Sequence, residues 1–469
     1  MPKDHNKLPA LVVASVAAFL TPFMGSSVNI ALPAIGREFA MDAVLLSWVS
    51  TAFLLAAAMF LVPFGRLADI YGRKKIFGHG VAIYTVSSLL AAVAISDAVL
   101  IAARILQGFG SAMIFGTGIA ILTSVHPPGE RGKALGINVA AVYLGLSLGP
   151  FFGGVLTQHL GWRSIFFVNL PMGVLLLVLV RKLRGEWAEA KGEKFDRIGA
   201  SIYAVALTAL MLGFSLLPAK PGAWLIVLGL VGILVFVRWE RQTPSPVLRM
   251  HLFNNAVFAF SNLAALIHYS ATFALNFLLS LYLQYVKGLA PQTAGIILVS
   301  QPLVMTIFSP FAGWLSDRIE PRVVASIGMA LSAVGLFLFT FLREESALPS
   351  IIAGLMMLGL GFALFSSPNT NAVMSAVEKR FYGLASGTLG TMRLTGQMLS
   401  MGIATLIFAV YLGRVQITPA HYPLFMKSIR SAFMIFAGLC FAGTFASLAR
   451  GKVTPVRCDD GNILHPDNS

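Results

Sequence analysis

The sequence predicts an all-α integral membrane protein with fourteen spans, arranged as two related six-helix halves with two helices inserted between them. Three observations carry this. Of 469 residues, 57% are hydrophobic and only 11% charged, against roughly 25% charged in an average soluble chain, so polar surface is too scarce to solvate a globule. Apolar runs near the ~20 residues that cross a hydrocarbon core recur fourteen times between charged or Pro/Gly-rich breaks. Two short motifs recur at nearly one offset along the chain.

The first six runs lie at about 9–33, 45–66, 76–96, 98–124, 134–157 and 166–180, and the inserted pair at about 198–217 and 223–238. The last six lie at about 254–286, 291–314, 322–342, 348–374, 382–411 and 429–449. The run from Leu8 to about Pro33 exceeds the apolar region of a signal peptide and many similar runs follow, so it reads as the first span. The chain divides accordingly into a first half (1–180), linkers and inserted pair (181–253), a second half (254–449) and a tail (450–469).

The 34 Lys and Arg residues outnumber 19 Asp and Glu, a formal charge of +15. In a soluble chain that would suggest nucleic acid. Here the charges lie in short stretches between apolar runs. Twenty-four of the basic residues fall on the side shared with both termini, eight fall opposite, and Arg104 and Arg393 lie inside spans. Because Lys and Arg mark cytoplasmic loops, both termini are expected in the cytoplasm of an inner or plasma membrane protein. The net charge is then an orientation signal, with the lipid bilayer as partner and no nucleic acid. Cys440 and Cys458 make no disulfide framework, thiolate metal site or redox pair.

The repeat is carried by Gly65 and Asp69, matched by Gly313 and Asp317 at an offset of 248, each pair followed by basic residues. Gly132, Gly136 and Gly145 are matched by Gly383, Gly387 and Gly396 at 251. Two independent matches indicate two related halves. Eight spans separate them, so the seventh and eighth are an insertion. Related halves rocking about a central cavity are the architecture of secondary transporters.

With these residues in hand, nearly the whole chain resembles the major facilitator superfamily, and within it the fourteen-helix drug:proton antiporter family of the QacA and EmrB type. Gly65 to Lys75 resembles that family's motif A, which implies that Asp69, with Gly65, Gly72 and Arg73, caps or pairs across the interface between the halves, with Asp317 in a degenerate copy. Arg104 to Ala112 resembles motif B, implying a coupling role for Arg104 beside Gln107 and Gly108. A guanidinium at that depth is costly and should face the cavity or a polar partner. The stretch Gly145, Gly149, Pro150, Gly153 and Gly154 resembles motif C, which marks exporters. Pro150 removes a helical hydrogen bond and glycines four apart allow close helix contact, so Pro150→Ala and Gly149→Leu are expected to impair turnover more than expression. The GxSxG string at Gly145–Gly149 lacks the strand-to-helix context of a nucleophile elbow.

The sequence departs from the family at Met24, where an aspartate is usual. No acidic residue falls mid-span, although proton-driven exchange commonly uses a buried carboxylate. Polar or basic candidates for the cavity are Asn29, His268, Asn276, Gln301, Asn369, Asn371 and Arg393, together with Met24. Their potential is neutral to positive, so neutral or anionic amphiphiles are expected to be preferred over organic cations. The expected function is export of amphipathic small molecules by a monomer, coupled to H+, without a cofactor. A nearer alternative is export of a neutral or anionic metabolite or lipid. An intramembrane enzyme or passive channel is disfavoured, since no catalytic cluster of acid, His or metal ligands is spaced in the sequence, and without a GxxxxGK[S/T] loop ATP is not expected as the direct energy source.

Overall fold

The computed structural model describes residues 4–244, 246–248, 250–378 and 382–451, without side chains at 4, 5, 128, 129, 131–133, 317 and 383. Cys458 and nearly all of the tail at 450–469 lie outside the described residues. The helices of the first half are α1 (Asp4–Glu38), α2 (Ala43–Tyr71), α3 (Arg73–Ala92), α4 (Asp97–Val125), α5 (Pro128–Leu160) and α6 (Arg163–Lys182). The inserted pair is α7 (Arg197–Leu216) and α8 (Lys220–Gln242). The second half contains α9 (Ala256–Thr272), α10 (Ala274–Leu281), α11 (Pro291–Arg318), α12 (Pro321–Phe339), α13 (Leu348–Ser375), α14 (Tyr382–Tyr411) and α15 (Tyr422–Ala449). Fourteen spans result when α9, α10 and a π turn at Tyr282–Val286 are taken as one.

Local chemistry sets the breaks. Asp42, Asp196 and Asn255 cap α2, α7 and α9 by accepting from the amides of Leu45, Gly199 and Val257 at 2.7, 2.9 and 2.9 Å. Proline occupies the first turn of α8, α11, α12 and α13, where a missing N–H costs nothing. The span expected at about 254–286 is interrupted at Phe273. There the Ala274 amide donates to Ser400 Oγ of α14 at 3.0 Å, a side chain inserted into the helical ladder.

The repeat seen in sequence recurs as geometry. A Cβ built on Gly80 would lie 2.9 Å from the Gly110 carbonyl oxygen, and one on Gly328 would lie 2.7 Å from that of Gly361. Likewise a Cβ on Gly108 would meet the Phe53 oxygen at 2.3 Å, and one on Gly359 the Gln301 oxygen at 2.4 Å. Each second contact is the first displaced by 248 and 251 residues. Both halves therefore close the same helix pairs through the same glycines, which only a residue without Cβ permits.

The halves join at the end of the bundle away from the termini. Ser280 Oγ donates to the Asn29 carbonyl at 2.6 Å, Gln284 to that of Ile30 at 2.9 Å, and Ser47 shares a 2.8 Å hydrogen bond with Thr405. The Ala43 amide reaches the Val415 carbonyl at 3.1 Å. Here α5 also lies directly on α11, because a Cβ on Gly295 would fall 2.2 Å from the Pro150 oxygen and one on Gly154 2.6 Å from that of Pro291. α7 lies across the α2–α14 seam. Its Ser215 accepts from Trp48 Nε1 at 2.9 Å, and its Tyr203 lies 3.3 Å from Thr395 Oγ1.

Lys191 and Lys220 are exposed at opposite ends of this bundle. In a Cys458→Ser background, Lys220→Cys is expected to react with an impermeant maleimide applied to intact cells and Lys191→Cys is not. Labelling at Lys191 would reverse the orientation.

Candidate functional site

The polar groups that reach the seam near mid-depth come from four helices. Arg393 of α14 donates through Nη2 to Thr370 Oγ1 of α13 at 2.6 Å, and its guanidinium carbon lies 5.7 Å from the Tyr269 ring centroid of α9. Its Nε is buried with no partner. Facing from the first half, the Tyr143 hydroxyl of α5 lies 3.4 Å from Ser366 Oγ, and the Tyr269 hydroxyl also bonds Ser366. Tyr143 and Arg393 stay partly exposed. The 251-residue repeat makes Tyr143 equivalent to Leu394, beside Arg393. The two side chains thus stand at one level on opposite halves.

Arg104 is 1% exposed and does not face the seam. Its Nε donates to the Val49 carbonyl at 2.9 Å, Nη1 to Gln107, and its guanidinium stacks 4.4 Å from the Phe53 ring centroid. Gln107 passes the chain on to Ser88 at 2.8 Å. This cation is compensated by dipoles and an aromatic face within the first half.

At the termini-bearing end Asp69 pairs with Arg73 in its own half, Nη2 to Oδ1 being 2.7 Å, and not across the interface as the motif resemblance implies. The 181–196 linker is bonded to the same turn. Glu189 pairs with Arg73 at 2.7 Å, Glu193 with Arg66, and Glu186 accepts from the Lys74 and Lys75 amides at 2.8 and 3.1 Å. Gly72 has φ +116°, and a Cβ there would lie 2.5 Å from the Glu186 carboxyl carbon. Gly65 contributes an α2–α4 approach opposite Gly116. The backbone of Asp317 ends α11, and its side chain lies outside the described residues.

The other expected cavity residues disperse. Met24 is fully buried, its sulfur accepting from Asn169 Nδ2 of α6 at 3.1 Å. Asn29 accepts from Ser50 at 3.0 Å at the far-end seam. His268 is sealed between α9, α13 and α15, its ring 4.1 Å from that of Phe365 and Nδ1 3.8 Å from Cys440 Sγ. Asn369 accepts from Arg450 at 3.1 Å, and Asn371 donates to Ser316 at 3.1 Å. Asn276 and Gln301 each keep one side-chain oxygen without a partner. Of the motif C glycines, Gly145, Gly149 and Gly153 press α5 onto α1, a Cβ on Gly149 falling 1.9 Å from Ser26 Oγ. Only Gly154 meets the second half.

Sequence reasoning missed several groups. Arg450, counted as a tail charge, is fully buried and binds the Ser447 carbonyl at 2.8 Å as well as Asn369. Burial, then the neighbouring Arg322, pushes its guanidinium down to about 10. Glu240 is 2% exposed and accepts from the Leu248 amide at 2.7 Å. Tyr143 and Tyr269 carried only the general signal of tyrosines inside spans. Among the described residues, no group of three His, Cys, Asp or Glu is placed to hold a metal ion.

The sequence pattern of the Major Facilitator Superfamily matches residues 14–261 and 261–458. The chain belongs to that superfamily. This major facilitator protein is similar to the riboflavin transporter RibZ of Clostridioides difficile, with 29% identity over 93% of this chain and 96% of the relative. The cephamycin export protein CmcT of Amycolatopsis lactamdurans is 34% identical over 86% of this chain and 85% of its own. Among solved structures, a peptide transporter POT bound to alafosfalin superposes with a TM-score of 0.68 at 15% identity, covering 92% of this chain and 93% of that one. A bacterial Spinster homologue in an inward-facing, unoccupied conformation gives 0.65 at 16%, with 95% and 97% covered. These last two likenesses show the fold. The major facilitator protein is a multi-pass membrane transporter, not an enzyme.

Proposed function

We propose that this protein exports amphipathic small organic molecules by alternating access, as a proton-driven antiporter of the fourteen-helix QacA and EmrB type. The observation that carries the reading is the closed far-end seam, with Gly295 on Pro150, above a partly exposed level where Tyr143 and Arg393 face each other. With both termini cytoplasmic, that level opens to the cytoplasm of the plasma membrane, where a monomer would collect its cargo. The names of relatives agree: cephamycin export, multidrug resistance and tetracenomycin C resistance and export.

Inverted vesicles holding the protein, energised by a pH gradient and offered cationic, neutral and anionic dyes, test it. Accumulation of at least one class is expected, abolished by a protonophore, with added substrate partly collapsing the gradient. Accumulation that ignores the protonophore would remove proton coupling. No accumulation of any dye by folded protein would remove export.

A further inference from the structure

Resting on the exporter reading, we infer that the transported compounds carry an acidic group, a carboxylate above all, and that this group docks on Arg393. Among the described arginines, Arg104 and Arg450 are fully buried and satisfied by the protein. Arg104 has the Val49 carbonyl, Gln107 and the Phe53 ring, while Arg450 has Ser447, Asn369 and Ser261. Arg393 differs. A guanidinium has five N–H donors, yet here, beyond the Tyr269 ring 5.7 Å away, one is spent on Thr370 and Nε is buried without a partner. No carboxylate pairs with it among the described residues. It lies eleven residues into α14, roughly 16 Å along the helix axis, where an uncompensated cation is costly.

An incoming anion supplies the missing partner, and the surroundings select its shape. The planar guanidinium fork matches a carboxylate bidentately. The Tyr269 ring lies 5.7 Å from the guanidinium, Tyr143 reaches Ser366 across the seam at 3.4 Å, and the partly exposed Tyr143 ring offers a wall for an apolar or aromatic body. Since Tyr143 and Arg393 belong to different halves at one level, an acid bridging them binds one arrangement of the halves better than the other. That differential affinity is what lets occupancy move a conformational equilibrium. Organic cations find no acidic side chain at this cluster among the described residues.

The test uses the full chain in lipid nanodiscs, with a fluorescent amphipathic carboxylic acid and its methyl ester as probes. The acid is expected to bind more tightly than the ester by about tenfold to a hundredfold, the worth of a charge-assisted hydrogen bond. Arg393→Gln should bring the ratio to about one with ester affinity unchanged, and Arg393→Lys should keep part of it. If Arg393→Gln does not fold, the native protein still decides. Its preference should vanish as pH falls through the probe's own carboxyl pKa, about 4. A ratio of one in the native protein at neutral pH, or an undiminished ratio in Arg393→Gln, overturns the inference. Gradient-driven uptake of the ester with a ratio of one would sink the inference and leave the exporter reading standing. Acid-selective binding with no gradient-driven movement would do the reverse.

Discussion

Gly295→Leu will hold the two halves apart at the far end and stop transport without preventing the protein from folding. The contact it breaks is backbone on backbone. A single Cβ on Gly295 would fall 2.2 Å from the Pro150 oxygen, and one on Gly154 2.6 Å from the Pro291 oxygen, and neither oxygen can rotate away as a side chain would. Overpacking of this kind costs about 1–3 kcal/mol or more. That cost falls on the arrangement in which α5 and α11 touch, so the population shifts towards the one in which they do not, by roughly tenfold to a hundredfold. Gly149→Leu is the control. Its Cβ strikes Ser26 and Phe23 of α1 within one half, so, contrary to the expectation from the motif C resemblance that turnover would suffer more than expression, it taxes every conformation equally and should lower the yield of folded protein. Cysteines at Gln158 and Gln292, adjacent across the seam through a 3.2 Å hydrogen bond, report the outcome by cross-linking. Loss of cross-linking in folded Gly295→Leu is expected. Undiminished cross-linking with normal transport would show that the seam does not open in the cycle.

How much of this was legible in the sequence depends on the distance over which a residue acts. Apolar runs and caps are local, so all fourteen spans could be read, with errors confined to ends such as Pro128 of α5 and to the break at Phe273, which a distant serine makes. The repeat could be read because glycine contacts preserve its offsets of 248 and 251, from Gly80–Gly110 to Gly328–Gly361. Which way a polar side chain points was not legible. Met24, Asn29 and Asn369 are equally plausible cavity residues in sequence, yet Met24 turns to Asn169, Asn29 to Ser50 and Asn369 to Arg450. Rotation of a helix about its axis is fixed by partners 145, 21 and 81 residues away in these pairs, and hydrophobic periodicity inside a bundle buried on all sides does not encode it. The linker's acidic residues read as an ordinary solvated loop for the same reason.

That linker yields the second large effect. Arg73→Gln should free it from the cytoplasmic face. Arg73 is 7% exposed and collects Asp69 and Glu189, each at 2.7 Å, with Ser124 Oγ at 2.6 Å, while the adjoining backbone bonds Arg73 N to Trp187 O and Ala190 N to Asp69 O hold the linker against the same turn. Glutamine cannot span these acceptors. Asp69 and Glu189 are 34% and 69% exposed and regain water when released, so the full penalty for breaking a buried pair does not apply. A loss of about 1–3 kcal/mol remains from the charged hydrogen bonds. Arg66→Gln is the comparison, because Arg66, though only 11% exposed, ties the linker through the single half-exposed carboxylate of Glu193, whereas Arg73 gathers Asp69, Glu189 and Ser124, and one pair to a solvated carboxylate is worth about 0–1 kcal/mol. Trypsin reads the difference, since Arg184, Lys191 and Lys194 lie in the linker and cleavage of a transiently opened segment follows its open population. In inverted vesicles, cutting in the linker should accelerate by about tenfold to a hundredfold in Arg73→Gln and by less than about fivefold in Arg66→Gln. Equal, native-like protection in both would mean that the backbone bonds alone seat the linker and that Arg73 serves the opposite conformation, in which Asp69 is released to reach across to the second half.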